Sequence, residues 1–365
     1  MKHQSFKLVC VLLFQLLNFN PVNAESVSEL KNDETLVFFN TSAWLNQQSM
    51  QWHIPIHGWV FEPEDSTIRK QLIAQSLKTF YELETNSSTR SNFNQRVNLL
   101  LADNERNKSM VIRFANRTYA IPASAANGHF STVLKVDAKI IAAADLTHQL
   151  TFDAVLPKHD QRQFSGQVNL VSPNGLSIIS DIDDTIKISE VTNRKQLLNH
   201  TFYLDFKAVP GMADLYNHLL DHEGALHFVS SRPWQLYPAL VKWLEQAGFP
   251  DAEFALKTFR FKDSSLINLF TSSLKTKPPQ IIKIIERYPG RQFILVGDSG
   301  EKDPEVYAKI QQQFPQQIIK ILIRNVTEEK ASDDRFQALY ENLPPNSWQL
   351  FTNPKNIKID HNIAL

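Results

Sequence analysis

The chain has 365 residues, of which 42% are hydrophobic, so it is long enough for one large domain or two ordinary domains with proper cores. Basic and acidic residues number 38 each, and this balance excludes a global field that would draw the chain to nucleic acid. Function must therefore depend on local sites, and the sequence indicates no stable protein partner.

The start of the chain has the pattern of an export signal. Lys2 and Lys7 precede the apolar stretch Leu8–Leu17, and small residues end at Ala24. The apolar run is about ten residues, whereas a membrane-spanning helix needs roughly 20. We therefore predict a signal peptide over residues 1–24 and a protein that is periplasmic or secreted, with peripheral membrane contact.

Residues 25–171 are predicted to form a small, mainly-β, sandwich-like accessory domain. Alternating apolar and polar residues indicate short strands within 111–121, 131–140, 149–155 and 165–171. One amphipathic helix is predicted over 66–83. Its expected apolar face consists of Ile68, Leu72, Ile73, Leu77, Phe80 and Tyr81. This half shows no clustered nucleophile, base or metal-ligand set, so its role is not predicted.

Residues 172–350 follow a turn signal and change to alternating strands and helices. Apolar runs indicate strands at 176–180, 226–230, 293–296 and 318–323. Helical patterns occupy 211–222, 236–246, 279–287 and 304–313. Such alternation is typical of the α/β class, with a Rossmann-like parallel sheet covered by helices on both faces. Residues 351–365 are a C-terminal tail.

Polar residues follow three of these predicted strands. Asp181 and Asp183 follow the first strand, Ser230 and Ser231 end the second, and Asp298 follows the third. Ligands bind at the carboxyl ends of the strands in an open α/β sheet, so these side chains should meet in one crevice. Carboxylates brought together repel one another unless a cation lies among them, and Mg²⁺ is the ion that best suits oxygen ligands.

The spacing of Asp181 and Asp183 gives this site a chemical meaning. The first carboxylate can attack phosphorus, while the second can protonate the leaving oxygen and later activate water. The five residues DIDDT, taken alone, are equally compatible with an aspartate-rich turn or a simple Ca²⁺ loop.

The order of the motifs resembles the haloacid dehalogenase superfamily of phosphatases. DIDDT (181–185), FVSS (228–231), a lysine before a helix, and GDSGEKD (297–303) resemble its four motifs. Over roughly 172–350, the stretches HFVSSRPWQLYP and RQFILVGDSGEKDPEVY are similar to the catalytic domain of the actin-patch-associated, lipin-related, Mg²⁺-dependent phosphatidate phosphatases. The resemblance implies a haloacid dehalogenase type fold.

The resemblance also implies roles for single residues. Ser230 is expected to bind the phosphate through its hydroxyl, with Ser231 beside it, and Asp298 is expected to hold the metal. Lys277, which precedes Pro278 and Pro279, is the preferred third-motif lysine, with Lys275 as the alternative. The metal site is expected to comprise Asp181, Asp183, Asp298 and Asp303, which supply carboxylates and a backbone carbonyl, with Asp303 holding a metal-bound water. Asp303 is equally compatible with a plain role at a helix N-terminus.

Two other patterns have competing interpretations. His218, His222 and His227 have zinc-like spacing, but the first two lie at a solvated helix end and the third lies inside a buried strand. The stretch KTFRFKD (257–263) interleaves basic and aromatic residues. This pattern is typical of a lipid-facing segment or of an edge strand.

The sequence as a whole predicts Mg²⁺-dependent hydrolysis of phosphatidate, presented at a membrane surface, through an aspartyl-phosphate. Hydrolysis of a soluble phosphomonoester and non-catalytic lipid binding are the alternatives. The presence of both Asp181 and Asp183 favours an enzyme.

Overall fold

The chain builds two β-sheets that follow one another in sequence. A computed structural model describes residues 26–64, 66–84, 86–220, 223–258, 273–344 and 346–358. The predicted signal peptide, most of the stretch 257–263 and the end of the tail lie outside the described residues.

The first sheet contains nine strands. They are β1 (Thr35–Phe38), β2 (Thr41–Asn46), β3 (Gln51–Glu62), β4 (Asp103–Asn104), β5 (Met110–Phe114), β6 (Arg117–Ile121), β7 (His129–Asp137), β8 (Gln149–Ala154) and β9 (Ser165–Val171). The order is β1-β3-β2-β9-β8-β5-β6, and β4 and β7 also pair with β3. The pairing of β2 with β9 is parallel, and the other pairings are antiparallel.

Apolar residues from eight of these strands, all but β4, gather in one buried cluster. Residues 111–121, which the sequence suggests as one alternating stretch, form the β5–β6 hairpin. Ala115 and Asn116 at its tip both have positive φ, which is the backbone twist that a two-residue hairpin turn requires. Whether this sheet folds as a separate domain remains a prediction.

Three helices interrupt the first sheet, instead of the single helix predicted: α1 (Thr67–Tyr81), α2 (Arg90–Leu101) and α3 (Ala138–Ala143). The prediction of the α1 apolar face was wrong in part. Only Ile73 and Leu77 of α1 are buried, and they pack with α2, whereas Ile68, Leu72 and Phe80 are exposed. In the described part of the chain, no helix is both long enough and apolar enough to cross a membrane.

The second sheet contains six parallel strands. They are β10 (Asn174–Ser180), β11 (Ala225–Pro233), β12 (Ala252–Lys257), β13 (Gly290–Asp298), β14 (Ile318–Arg324) and β15 (Trp348–Phe351). Their order is β12-β11-β10-β13-β14-β15. The strand order therefore reverses between β10 and β13, the topological switch point at which such sheets bind ligands. The α/β class with a parallel sheet is confirmed.

Helices cover both faces of this sheet. They are α4 (Arg194–Phe202), α5 (Met212–Leu219), α6 (Tyr237–Gln246), α7 (Ser273–Arg287), α8 (Asp303–Gln313) and α9 (Asp334–Tyr340). The neighbouring residues Ile178 and Ile179 point to opposite faces, because Ile178 packs with α5 and α6 while Ile179 packs with α7, α8 and α9.

The two sheets contact each other through buried groups. Phe39, Trp59 and Phe61 of the N-terminal half belong to the same apolar cluster as α5 and α6. The Asn40 main-chain N–H donates to the Tyr237 hydroxyl at 2.9 Å. The carboxyl edge of β10 and β13, with helices on either side, is where the functional side chains collect.

Candidate functional site

The switch point brings the first and fourth sequence motifs together. Asp181 directly follows β10, and its main-chain N–H donates to the Val296 carbonyl of β13 at 2.9 Å. Asp298 is the last residue of β13. Both carboxylates are buried. The strand order, with β10 beside β13, therefore brings these two aspartates together at one edge of the sheet.

Four carboxylates form one cluster at this edge: Asp181, Asp298, Glu301 and Asp303. One oxygen from each lies within 4.8 Å of the others. Sequence reasoning assigned three of these residues to the metal and missed Glu301. The signal was available, because Glu301 is an acidic residue between Asp298 and Asp303 inside GDSGEKD.

The loop that carries the fourth motif is held by its own main chain. The Asp298 Oδ1 atom accepts from the N–H groups of Gly300 and Glu301 at 2.7 and 3.0 Å, and Asp303 Oδ2 accepts from the Asp298 N–H at 3.3 Å. A Cβ at Gly297 would lie 2.5 Å from Asp303 Oδ2, so only glycine lets Asp303 approach this closely. Arg335 of α9 donates to the carbonyls of Ser299 and Glu301.

Lys277 is the lysine that reaches the cluster. Its Nζ lies 2.8 Å from Asp181 Oδ1, 2.5 Å from Asp303 Oδ1 and 3.0 Å from Glu301 Oε2. The preferred choice of Lys277 agrees with this placement, because Lys277 is buried and Lys275 is exposed. The expected helix boundary was wrong, since α7 begins at Ser273.

The position of Lys277 within α7 is unusual. Pro278 and Pro279 lie inside the helix, where each lacks the N–H that would complete a main-chain hydrogen bond. The prolines therefore do not mark the first turn, and Lys277 projects from the body of the helix. Burial alone would lower the pKa of Lys277, but Asp181, Asp303 and Glu301 outweigh it and raise the pKa well above its usual range.

The charge of the cluster calls for another cation. Burial raises the pKa of Asp181 and of Asp298 well above the usual range. Burial also raises the pKa of Asp303, and Lys277 opposes this effect, so that the pKa of Asp303 is about 6. The Asp298 Oδ2 atom is buried and has no hydrogen-bond partner among the described residues. Four carboxylates with one lysine and an unpartnered carboxylate oxygen fit a hard divalent cation.

Asp183 is placed apart from this cluster. Its carboxylate accepts two hydrogen bonds from Arg232, one from Ser189, and one from Lys187 at 3.4 Å. Burial alone would raise the pKa of Asp183, but Arg232 and Lys187 outweigh it and hold the pKa well below its usual range. The structure therefore does not bring the Asp183 carboxylate to the metal-ligand group. In this arrangement the carboxylate is ionised and has no proton to donate.

Arg232 was not singled out from the sequence, although it lies in SSRP, one residue after Ser231. Its guanidinium is buried and also donates to the Thr201 hydroxyl at 3.1 Å. Burial and the neighbouring Arg232 lower the pKa of Lys187 to about 7. The side chains of Arg232 and Lys187 therefore both face the single carboxylate of Asp183.

The two predicted phosphate-binding serines lie on β11, beside β10. The Ser230 hydroxyl oxygen accepts from the Arg232 main-chain N–H at 3.2 Å. The Ser231 hydroxyl is buried without a hydrogen-bond partner among the described residues. Their roles in binding phosphate remain predictions.

The three histidines with zinc-like spacing do not form a cluster in the described structure. His227 is buried and hydrogen-bonds Glu253 at 2.9 Å, and Arg287 pairs with the same glutamate. His218 lies on the exposed side of α5, and His222 lies outside the described residues. Lys257, the first residue of the basic and aromatic stretch, ends the edge strand β12.

Comparison with known proteins finds relatives of this half of the chain. Residues 176–325 match the family model described as "Phosphatidate phosphatase APP1, catalytic domain". The chain is 36% identical over 180 residues to the phosphatidate phosphatase APP1 of Saccharomyces cerevisiae. It is 31% identical over 169 residues to an uncharacterized protein of Schizosaccharomyces pombe.

These alignments cover 48% and 45% of this chain, and 30% and 27% of the respective relatives. The chain thus spans less than a third of the length of these two relatives. The resemblance that the motifs indicate is confirmed. The residues that match the family model include Asp181, Asp183, Ser230, Lys277 and Asp298.

Proposed function

We propose that this chain is an exported, Mg²⁺-dependent phosphatidate phosphatase that releases diacylglycerol and phosphate through an aspartyl-phosphate. The observation that carries the proposal is the meeting of Asp181, Lys277 and Asp298 at the switch point, inside the residues that match the phosphatidate phosphatase model. A carboxylate beside a lysine at the carboxyl edge of the sheet suits attack on a phosphoryl group.

Asp181 is the proposed nucleophile. A bond forms between its carboxylate oxygen and phosphorus while the bond from phosphorus to the glycerol oxygen breaks. Burial favours the neutral acid, which cannot attack, so a cation must keep Asp181 ionised. The Lys277 ammonium, 2.8 Å from Asp181 Oδ1, supplies part of that stabilisation.

Asp181, Asp298, Glu301 and Asp303 would hold the Mg²⁺ ion. When bound, the ion supplies positive charge that stabilises the phosphoryl oxygens. Ser230, Ser231 and Lys277 are the proposed phosphate-binding groups.

Asp183 is the proposed acid and base of the two half-reactions. It must protonate the leaving glycerol oxygen and later accept a proton from water. Because Arg232 holds Asp183 ionised, donation of a proton requires that Asp183 first separate from Arg232. The phosphoryl group of the substrate is an anion that competes with Asp183 for the same guanidinium.

The test is a substrate panel measured with the purified protein. Phosphate release is followed from phosphatidate, lysophosphatidate and soluble phosphomonoesters, with Mg²⁺ and with a chelator. Asp181→Asn should reduce every activity to background without changing the circular dichroism spectrum. Asp214→Asn removes an exposed aspartate from the first turn of α5 and is the matched control, with expected activity near that of the wild type.

The outcomes separate the alternatives. Preference for soluble esters over phosphatidate would leave the phosphatase and reject the lipid substrate. Activity that survives in Asp181→Asn would reject the covalent mechanism. No phosphate release from any substrate would favour a non-catalytic lipid-binding module. N-terminal sequencing of the exported protein should begin at Glu25, and an intact Met1 would reject the predicted cleavage.

A further inference from the structure

Arg96 of α2 is a buried cation that the N-terminal half directs at the end of α4. The residue is 4% exposed, and its Nη1 atom donates to the main-chain carbonyls of Thr201 and Leu204 at 3.0 and 2.8 Å. Burial and the neighbouring Arg232 lower the pKa of Arg96 to about 10, so the guanidinium is charged at neutral pH. A buried charge costs free energy unless hydrogen bonds compensate it, and here main-chain carbonyls supply that compensation.

Apolar contacts hold α2 in place on this end of α4. Phe93 and Val97 of α2 share a buried cluster with Phe202 and Tyr203. The ring centres of Phe93 and Tyr203 are 5.1 Å apart. Arg96 lies between Phe93 and Val97 on the same helix, so its two hydrogen bonds are made from a packed position.

Thr201 carries the first connection from Arg96 to the site. While the Thr201 carbonyl accepts from Arg96, the Thr201 hydroxyl donates to the Leu197 carbonyl at 2.6 Å. A hydroxyl has one proton, so the same oxygen faces Arg232 as an acceptor, and Nη1 of Arg232 donates to it at 3.1 Å. The Nε and Nη2 atoms of Arg232 donate to Asp183. Thr201 therefore fixes the third corner of the guanidinium that holds Asp183.

The ring of Phe206 carries a second connection. The Arg96 guanidinium lies 3.9 Å from the ring centre, and the Lys187 Nζ atom lies 4.9 Å from the same centre. Lys187 also donates to Asp183 at 3.4 Å. Cations are attracted to the face of an aromatic ring, so Phe206 links the two positive groups. Both cations that contact Asp183 are thus adjacent to a side chain or a main-chain group that Arg96 contacts.

We propose that Arg96 is a positioning residue for the phosphatase reaction, and that it acts through Thr201 to fix the Arg232 guanidinium that holds Asp183. The inference rests on the proposed function, because it concerns the placement of the proposed acid and base. It adds that the N-terminal half contributes to the reaction. A displacement of about 1 Å in a reacting group can cost about 10²-fold in rate. Without its acceptor on Thr201, the guanidinium loses one of its fixed contacts, and Asp183 loses a fixed partner.

The test compares the first turnover of two soluble esters by the purified protein. Nitrophenolate leaves para-nitrophenyl phosphate without a proton, whereas the phenol oxygen of phenyl phosphate depends more on protonation. Rapid-quench measurement of the first turnover separates this step from hydrolysis of the aspartyl-phosphate. Arg96→Met should slow the first turnover of phenyl phosphate by about 10- to 100-fold and slow that of para-nitrophenyl phosphate much less. The ratio of the two rates is the readout.

Variants at two other positions separate positioning from stability. Thr201→Val is a narrower change, because it removes the hydroxyl that accepts from Arg232 and keeps the shape of the side chain; it should shift the rate ratio in the same direction. Thr201→Ser retains the hydroxyl and should restore the ratio of the wild type. Val97→Ala weakens the packing of α2 on α4 without removing any of these hydrogen bonds. It should lower the melting temperature and leave the rate ratio unchanged.

The outcomes distinguish this inference from the proposed function. If the wild type hydrolyses both esters but Arg96→Met and Thr201→Val keep its rate ratio, Arg96 is not a positioning residue and the phosphatase remains. An equal shift of the ratio in Val97→Ala would assign the effect to lost packing and overturn the inference. If Arg96→Met does not fold, the comparison of Thr201→Val with Thr201→Ser decides. A wild type that hydrolyses neither ester would reject the proposed function, and the positioning role with it.

Discussion

Asp298→Asn should have opposite effects on the metal-free protein and on its affinity for Mg²⁺. Asp298 is buried in the carboxylate cluster, with one oxygen bound by two main-chain N–H groups and the other without a partner among the described residues. Asparagine keeps the oxygen that accepts from the main chain and places a donor at the unpartnered position. The variant therefore removes a repelling charge and adds a group that can donate to a neighbouring carboxylate.

The size of the effect follows from the distances. Two like charges 4.8 Å apart repel by about 3.5 kcal/mol at an effective dielectric constant of about 20. Asp298 faces three carboxylates and one lysine, so about two repulsions, roughly 7 kcal/mol at full ionisation, are not offset. Protonation relieves part of this, and we expect Asp298→Asn to stabilise the metal-free protein by about 2 to 4 kcal/mol. The melting temperature should rise by roughly 3 to 5 °C.

The sign of the pH dependence follows from the raised pKa of Asp298. A carboxyl whose pKa is higher in the folded than in the unfolded state binds more protons when folded, so the metal-free protein loses stability as the pH rises from about 4 through that raised pKa. Asp298→Asn should remove this loss. Conversely, addition of Mg²⁺ should raise the melting temperature of Asp298→Asn less than that of the wild type, because an amide oxygen does not neutralise the ion.

The assay is differential scanning fluorimetry in chelator and across a Mg²⁺ titration. Asp183→Asn is the matched comparison, because Asp183 is also buried but is paired with Arg232 and Lys187. Its removal leaves buried cations without a partner and should destabilise the protein by about 3 to 5 kcal/mol. If Asp298→Asn lowers the melting temperature in chelator as Asp183→Asn does, or leaves the Mg²⁺ midpoint unchanged, the cluster is not a metal site.

Three other measurements address the remaining site residues and the junction of the sheets. Asp183→Asn should slow turnover by about 10²- to 10⁴-fold, with a burst of nitrophenol from para-nitrophenyl phosphate because that leaving group needs no proton; equal losses without a burst would contradict the acid-base role. Lys277→Met should abolish phosphate release while Lys275→Met retains it, and equal activities of the two variants would reject the choice of lysine. Burial lowers the pKa of His57 to about 3 and that of His129 to about 4, so the unfolded chain binds more protons than the folded chain below pH 6.5. The free energy of unfolding should therefore fall by up to about 2.7 kcal/mol for each pH unit below pH 6.5. His129→Gln should halve that slope in thermal melts, and an unchanged slope would show that another group causes it.

The sequence was informative where chemistry follows directly from strand ends. The apolar runs before Asp181 and Asp298 are fully buried strands, and the carboxyl ends of neighbouring parallel strands must meet. Periodicity was less informative for α4, because its sequence RKQLLNHTF has little amphipathic character. It did not predict β3, because glycine, proline and two histidines interrupt the apolar pattern of that strand.

Contacts between distant residues could not be predicted from patterns along the chain. Asp183 and Arg232 are 49 positions apart, so nothing in DIDDT indicates that an arginine holds the second aspartate. The apolar residues of α1 illustrate a second limit. Periodicity identifies apolar side chains on a helix but does not tell which of them the fold covers, and here α2 covers Ile73 and Leu77 and leaves Ile68 and Leu72 exposed.

The N-terminal half has a physical connection to the site that the sequence did not indicate. Arg96, from the segment between β3 and β4, bonds the end of α4, and the Thr201 hydroxyl there accepts from the arginine that holds Asp183. Arg96 also stacks 3.9 Å from the centre of the Phe206 ring, which Lys187 approaches as well. Helix α2 of the N-terminal half therefore supports the groups that set the charge of Asp183. A catalytic half separated at residue 171 would lose that support, even though the residues matched by the family model would all be retained.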